Sequence, residues 1–75
     1  MGALPDDFAV TLGRVLEPGH AAAAAEIIEA AAALDDRRLE LFLRMFAGRV
    51  RASGAPVRSD ELHAMLRRAA SAGDP

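Results

Sequence analysis

The sequence contains no cysteine, which excludes disulfide bonds and metal sites built from thiolates. The remaining strong transition-metal ligands are two histidines, His20 and His63. A chain of 75 residues makes a single small domain (1–75), and such domains usually need a disulfide, a metal or a partner chain for stability. Since cysteine is absent and histidine is scarce, we expect a partner chain, either a second copy or a different protein.

Lysine, asparagine, glutamine, tyrosine and tryptophan are also absent, and all nine basic residues are arginines. Alanine, arginine, glycine and proline are common, a bias typical of a GC-rich, bacterial genome. The hydrophobic fraction of 52% overstates the core, because 18 of these residues are alanines that add little apolar area on burial. Alanine favours helices, so the composition predicts a helical chain with a small core.

The sequence shows neither a long apolar run nor a leader. The longest apolar stretch, residues 20–34, contains Glu26 and Glu29 and is shorter than the ~20 residues that span a bilayer. Asp6 and Asp7 stand where a signal peptide would carry basic residues. We therefore expect a cytoplasmic protein without membrane contact.

The net charge is only −2, but the charges are unevenly distributed. Residues 1–36 hold seven acids against one arginine, and residues 37–68 hold eight arginines against three acids. Such asymmetry indicates either a half that binds acidic ligands or two halves that neutralise each other. We favour mutual neutralisation.

Periodicity and end signals predict an all-α fold, a compact bundle of four short helices over about 5–16, 19–34, 36–52 and 59–72. No segment alternates with the two-residue period of a strand, so we expect no sheet. Pro18, and Gly54 followed by Pro56, separate the helices. Asp35 and Ser59 are the expected N-caps of the third and fourth helices.

The third predicted helix has an unusually wide apolar surface. At 100° per residue its apolar side chains span an arc of about 240°, whereas an ordinary surface helix has a stripe little wider than 100°. Either this helix is central in the bundle, or one flank of it faces a partner chain, which we favour. The expected core residues are Leu39, Phe42, Phe46 and Val50. The expected partner-binding residues are Leu41, Met45 and Ala52.

The same helix carries Arg37, Arg44 and Arg51 at seven-residue spacing. These arginines form a straight ridge about 21 Å long at 1.5 Å per residue, which could follow the phosphates of a nucleic acid. The alternative is a solvated face with a Glu40–Arg44 ion pair at i, i+4. We favour the solvated face, because no aromatic residue accompanies the arginines for base stacking.

Catalytic machinery is not evident in the sequence. Nucleophilic catalysis needs a hydroxyl or thiol beside a base, and no motif links either histidine to a serine or threonine. A di-metal bundle needs a Glu from each of two helices and a Glu-x-x-His from each of two others. This chain offers only Glu26-x-x-Glu29 and Asp60-x-x-His63. We expect no catalytic, cofactor-binding or metal-binding residue, and no enzyme.

Residues 37–66 resemble the opening of a winged-helix transcription regulator, in which an arginine-led apolar helix and a turn precede Ser-x-Glu-Leu. The matching positions are Arg38, Leu39, Leu41, Ser59, Glu61 and Leu62. The resemblance implies a recognition helix and a wing after the fourth helix, but the sequence ends at Pro75. We therefore assign no family on this pattern.

Three functions are compatible with the sequence. The first is a non-catalytic protein–protein interaction module that self-associates or docks a partner through the third helix. The second is a small DNA-binding transcriptional regulator that uses the arginine-rich half. A metal-bundle enzyme is a distant third.

Overall fold

A computed structural model describes residues 4–19 and 21–72, and within these ranges the chain is all-helical without a strand. The four helices are α1 (Phe8–Val15), α2 (Ala21–Ala32), α3 (Asp36–Ser53) and α4 (Ser59–Ser71). Three quarters of the described residues are helical. The radius of gyration is 11.6 Å, close to the ~11 Å expected for a compact chain of this length. The predicted fold class is confirmed.

α1 begins later than the sequence predicts. Residues 5–7 form a turn, in which the Phe8 N–H donates to the Pro5 carbonyl at 3.0 Å. The helix then starts after Asp7, whose carbonyl accepts from the Thr11 N–H at 2.9 Å. The proline thus precedes the helix instead of occupying its first position.

α2 is shorter than the predicted 19–34. Its C-terminal end closes with a tighter turn, in which the Leu34 N–H donates to the Ala31 carbonyl at 3.1 Å. His20, expected in the first turn of this helix, lies outside the described residues. None of the helices found within residues 4–19 and 21–72 is long and apolar enough to cross a membrane.

α3 has the two ends that its sequence predicts. The Asp35 side chain accepts from the Arg38 backbone N–H at 2.9 Å, and this hydrogen bond keeps the pKa of the Asp35 carboxyl below its ordinary value. Gly54 ends the helix at a φ of +68°, and its N–H donates to the Val50 carbonyl at 2.7 Å. A left-handed φ at this position favours glycine, because other residues are strained in that backbone conformation even where there is open space for a side chain.

The N-cap of α4 is Arg58, so the prediction of Ser59 was wrong by one residue. The Glu61 carboxylate accepts from the Arg58 backbone N–H at 3.0 Å. Glu61 is the third residue of the helix, the position from which an acid reaches back to the capping residue. Because this hydrogen bond caps the helix at Arg58, the first turn of α4 begins at Ser59, one residue earlier than it would with Ser59 as the cap.

The core contains all three aromatic residues of the chain. The Phe8 ring of α1 meets the Phe42 and Phe46 rings of α3 edge to face, at centroid distances of 5.9 and 5.4 Å. Such edge-to-face pairs add to the stability gained by burial. The other large side chains that are fully buried are Leu12, Ile27, Leu62 and Val57.

Two of the connecting segments are joined to each other. The Val57 N–H donates to the Val15 carbonyl at 2.6 Å, and the Glu17 N–H donates to the Val57 carbonyl at 3.2 Å. Leu16 and Val57 thereby form an isolated parallel bridge, and both side chains are buried. The segment after α1 is therefore held against the segment before α4.

Candidate functional site

The centre of the apolar arc of α3 belongs to the domain's own core. Leu39, Phe42 and Phe46 are buried, as expected, and Val50 is half-buried against them. Among residues 4–19 and 21–72, the large apolar side chain that is mostly exposed is Val10 on α1, at 57%. The chain therefore covers more of α3 by itself than the width of the arc suggests.

The residues proposed for partner binding lie at one edge of this arc. Leu41 is half-buried and is not among the described side chains that pack against the core. Met45 is also half-buried but does pack against the core. Ala52 is exposed. Of the three residues, Met45 therefore contacts the core, Leu41 is partly accessible without core contact, and Ala52 is on the surface.

Leu41 lies in an open groove of about 530 Å³ between the first half of α3 and the end of α4. The groove combines an apolar residue with charged ones, and its lining is Asp35, Arg37, Arg38, Glu40, Leu41, Arg44 and Ala72. Three of these side chains are basic and two are acidic. An apolar strip bordered by arginines suits a partner that is itself apolar and acidic.

The arginine ridge is exposed along its whole length. Arg37, Arg44 and Arg51 all face solvent. Arg44 forms the expected pair with Glu40 at 2.9 Å, with both side chains about 70% exposed, so the pair contributes only ~0.3–0.5 kcal/mol. Within the part of the chain that the structure describes, Arg37 and Arg51 have no ion-pair partner.

The ion pairs of the domain are mostly local. Arg38 pairs with Asp35 at 2.7 Å, and Arg58 pairs with Asp60 at 3.4 Å. By contrast, Glu26 and Glu29 on α2 are exposed and have no ion pair in residues 4–19 and 21–72. The expected neutralisation between the two halves therefore does not include α2.

Sequence reasoning missed the contact between Arg49 and Glu61, which joins α3 to α4. The Arg49 Nε and Nη2 donate to the two Glu61 carboxylate oxygens at 3.2 Å each, and Nη1 donates to the Gly54 carbonyl at 3.1 Å. The hydrogen bond from the Arg58 N–H, and then that from Arg49, lower the pKa of Glu61. The position of Glu61 in the first turn of α4 predicts its contact with the start of that helix, but nothing in the sequence indicates Arg49 as a second partner.

Among the described residues, which do not include His20, the histidine and carboxylate pairs form no cluster with metal-binding geometry. No three His, Asp or Glu side chains in the described ranges come close enough together to hold a metal ion. His63 is half-buried at a second groove of about 360 Å³, whose lining is Ala30, Leu34, His63, Leu66, Arg67 and Ala70. A hydroxyl nucleophile is not part of that lining.

Comparison with known proteins gives no relative on which to base a function. The chain matches no protein-family model, no curated protein and no solved structure. The resemblance to winged-helix regulators over residues 37–66 therefore gains no support.

Proposed function

We propose that this chain is a non-catalytic protein–protein interaction module. It docks another protein chain through the flank of α3 that consists of Leu41, Met45 and Ala52. The observation that carries the proposal is the position of Leu41, a large apolar residue in an open groove, outside the core and bordered by exposed arginines. Apolar side chains within a charged rim are typical of protein interfaces.

The size of the domain supports the same proposal. Among the described residues the core has thirteen buried side chains, two of which are alanines, one on α2 and one on α4, and the chain has no cysteine. A domain this small gains little from its own core, so a second chain that covers the Leu41 flank would add stability. Self-association and docking to a different protein both satisfy this requirement.

A bacterial, cytoplasmic setting is part of the proposal. The absence of lysine and asparagine beside abundant alanine and arginine supports a GC-rich bacterial origin. A chain without cysteine gains nothing from an oxidising compartment, which supports the cytoplasm.

Sedimentation of the intact protein and of Leu41→Glu tests the docking flank. We expect the intact protein to sediment above its monomer mass of 7.9 kDa, and Leu41→Glu to sediment as a folded monomer. A buried carboxylate at the interface is costly to desolvate, whereas the same carboxylate on a free monomer stays hydrated. Circular dichroism shows whether the variant keeps its helices. Leu41 is a better target than Met45, because Met45 also packs against the core.

Val10→Glu is the matched control, because it places the same charge on the most exposed large apolar residue of another helix. It should leave the mass unchanged. Loss of association in Val10→Glu but not in Leu41→Glu would move the interface to α1 and overturn the proposal.

If Leu41→Glu does not fold, Ala52→Glu on the exposed end of the flank replaces it. A monomeric intact protein excludes self-association, and the flank must then dock a different protein.

A DNA-binding regulator is the second candidate. The observation in its favour is that Arg37, Arg44 and Arg51 are all exposed, with Arg37 and Arg51 free of ion pairs among the described residues. Exposed arginines along one helix can contact successive phosphates. Against it, Asp36 and Glu40 are exposed on the same helix.

A further inference from the structure

α2 presents an acidic surface that no other described part of the domain neutralises. Glu26 and Glu29 are exposed, and neither has an ion pair within residues 4–19 and 21–72. The remaining exposed positions of this helix are alanines, namely Ala22, Ala25, Ala30 and Ala32. The result is an acidic patch near the middle of α2, with its two glutamates about 4.5 Å apart along the helix axis and with short neighbouring side chains that let another helix approach closely.

α3 presents a surface of opposite charge that is longer than the pair of acids on α2. Its ridge of Arg37, Arg44 and Arg51 extends over about 21 Å and is exposed throughout. The ridge lies beside the Leu41 flank, since Arg37 and Arg44 line the same groove as Leu41. Gly48, between Arg44 and Arg51 on the helix, is exposed, and a Cβ placed there would have no neighbour within 4 Å. The domain's own packing therefore leaves this strip open.

We propose that the partner at the Leu41 groove is a second copy of this chain, and that it docks through its α2. Glu26 and Glu29 of one copy then face the arginine ridge of the other. This inference rests on the proposed function, and it specifies both the partner and the partner's contact surface. In a two-fold dimer the contact occurs twice, because each copy supplies one acidic α2 and one basic α3.

Charge complementarity favours a second copy over an unrelated partner. Residues 1–36 carry seven acids against one arginine, and residues 37–68 carry eight arginines against three acids. The acids of α2 have no ion-pair partner among residues 4–19 and 21–72 of their own chain, so pairing of two copies would neutralise both surfaces at once. Opposed potentials of this kind fix the register of an interface and make association weaken as salt rises.

Two charge-reversed proteins test this arrangement. One carries Glu26→Arg and Glu29→Arg, which makes both surfaces basic. The other carries Arg37→Glu and Arg44→Glu, the two ridge positions that line the Leu41 groove, which makes both surfaces acidic. All four positions are exposed, so both proteins should keep the helical circular dichroism spectrum of the intact chain. Each alone should lose self-association by at least about tenfold in dissociation constant, because like charges then face each other.

The decisive sample is the equal mixture of the two reversed proteins. Every α2–α3 contact in a mixed dimer again joins opposite charges, so sedimentation should show a heterodimer. Arg14→Glu is the matched control, since it changes an exposed charge on α1 and should leave the mass unchanged.

Each alternative result identifies which claim is wrong. A monomeric intact protein, or a mixture that stays monomeric, overturns the α2–α3 pairing. If both reversed proteins still dimerise alone while Leu41→Glu does not, the pairing is wrong and the apolar flank stands. If the reversed proteins lose association while Leu41→Glu keeps it, the pairing stands and the apolar flank is wrong.

Discussion

Phe46 shows how much one side chain contributes in a domain of this size. Its ring is 5% exposed and packs edge to face on Phe8, 5.4 Å away. Replacement by alanine should destabilise the domain by about 3–5 kcal/mol, which is comparable to the whole stability that a core this small supplies. We expect Phe46→Ala to be largely unfolded at 25 °C by circular dichroism.

The control for this prediction is Phe46→Leu, which keeps most of the apolar volume. It should remain folded and unfold at a lower urea concentration than the intact chain. A Phe46→Ala protein with an unchanged urea midpoint would contradict the assignment of Phe46 to the core.

The sequence identifies core residues inside helices better than those between them. Leu39, Phe42 and Phe46 follow from helical spacing, and the structure buries all three. Val57 is fully buried but stands in the segment between α3 and α4, where no periodicity exists to indicate its direction. Its contact with Leu16 joins segments about forty residues apart in the chain, and short-range patterns carry no information on such pairings.

At the level of elements, we expect pH to act on Glu61, whose carboxylate accepts from the Arg58 N–H at the start of α4 and from Arg49 of α3. The pKa of Glu61 is lowered by the Arg58 N–H and then by Arg49, so the folded chain holds this proton less tightly than the unfolded chain. The resulting stabilisation is present at neutral pH and is lost as the pH falls below about 4.5. Glu61→Gln should therefore lower the melting temperature at pH 7, with a difference from the intact protein that narrows on acidification.

Glu40→Gln is the matched control for that series. Its partner Arg44 is one helical turn away on the same helix, and both side chains are exposed, so losing the pair should change the melting temperature little. A Glu61→Gln protein whose melting temperature matches that of the intact chain at pH 7 would show that the contact does not stabilise the joint.

The number and approximate positions of the helices can be predicted from this sequence, whereas the residues at which they begin and end can be predicted only in part. Asp35 and Gly54 are residues with strong end preferences, and both cap α3 as expected. α4 differs because Glu61 satisfies the Arg58 N–H, and an acid three residues inside a helix outweighs the preference of Ser59 for the cap. α1 starts later than predicted because the Pro5 carbonyl accepts from the Phe8 N–H and so closes a turn before the helix.

At the level of the whole molecule, the sequence overstates the free apolar surface of α3. A helical projection counts the width of the arc but not the neighbours that cover it. Neighbouring helices cover the arc, because Phe8 of α1 packs on Phe42, and Glu61 of α4 pairs with Arg49, which lies between Met45 and Phe42 around α3. The apolar surface of α3 that stays uncovered is narrower than the full arc and centres on Leu41. It lies beside charged side chains of the same groove, and the sequence alone does not specify which of these charges a partner would contact.

The overall charge gives the prediction that separates the two candidate functions. The protein is acidic at neutral pH, with a net charge of −2, and Asp36 and Glu40 are exposed along with the arginine ridge. We therefore expect no retention of the intact protein on duplex DNA even at low salt. If three arginines contacted phosphates, a plot of the logarithm of the binding constant against the logarithm of salt concentration would have a slope no steeper than about −3, since each neutralised phosphate contributes about −0.9. Retention with such a slope, and its flattening in a variant with Arg37, Arg44 and Arg51 replaced by alanine, would establish the ridge as a nucleic-acid surface instead.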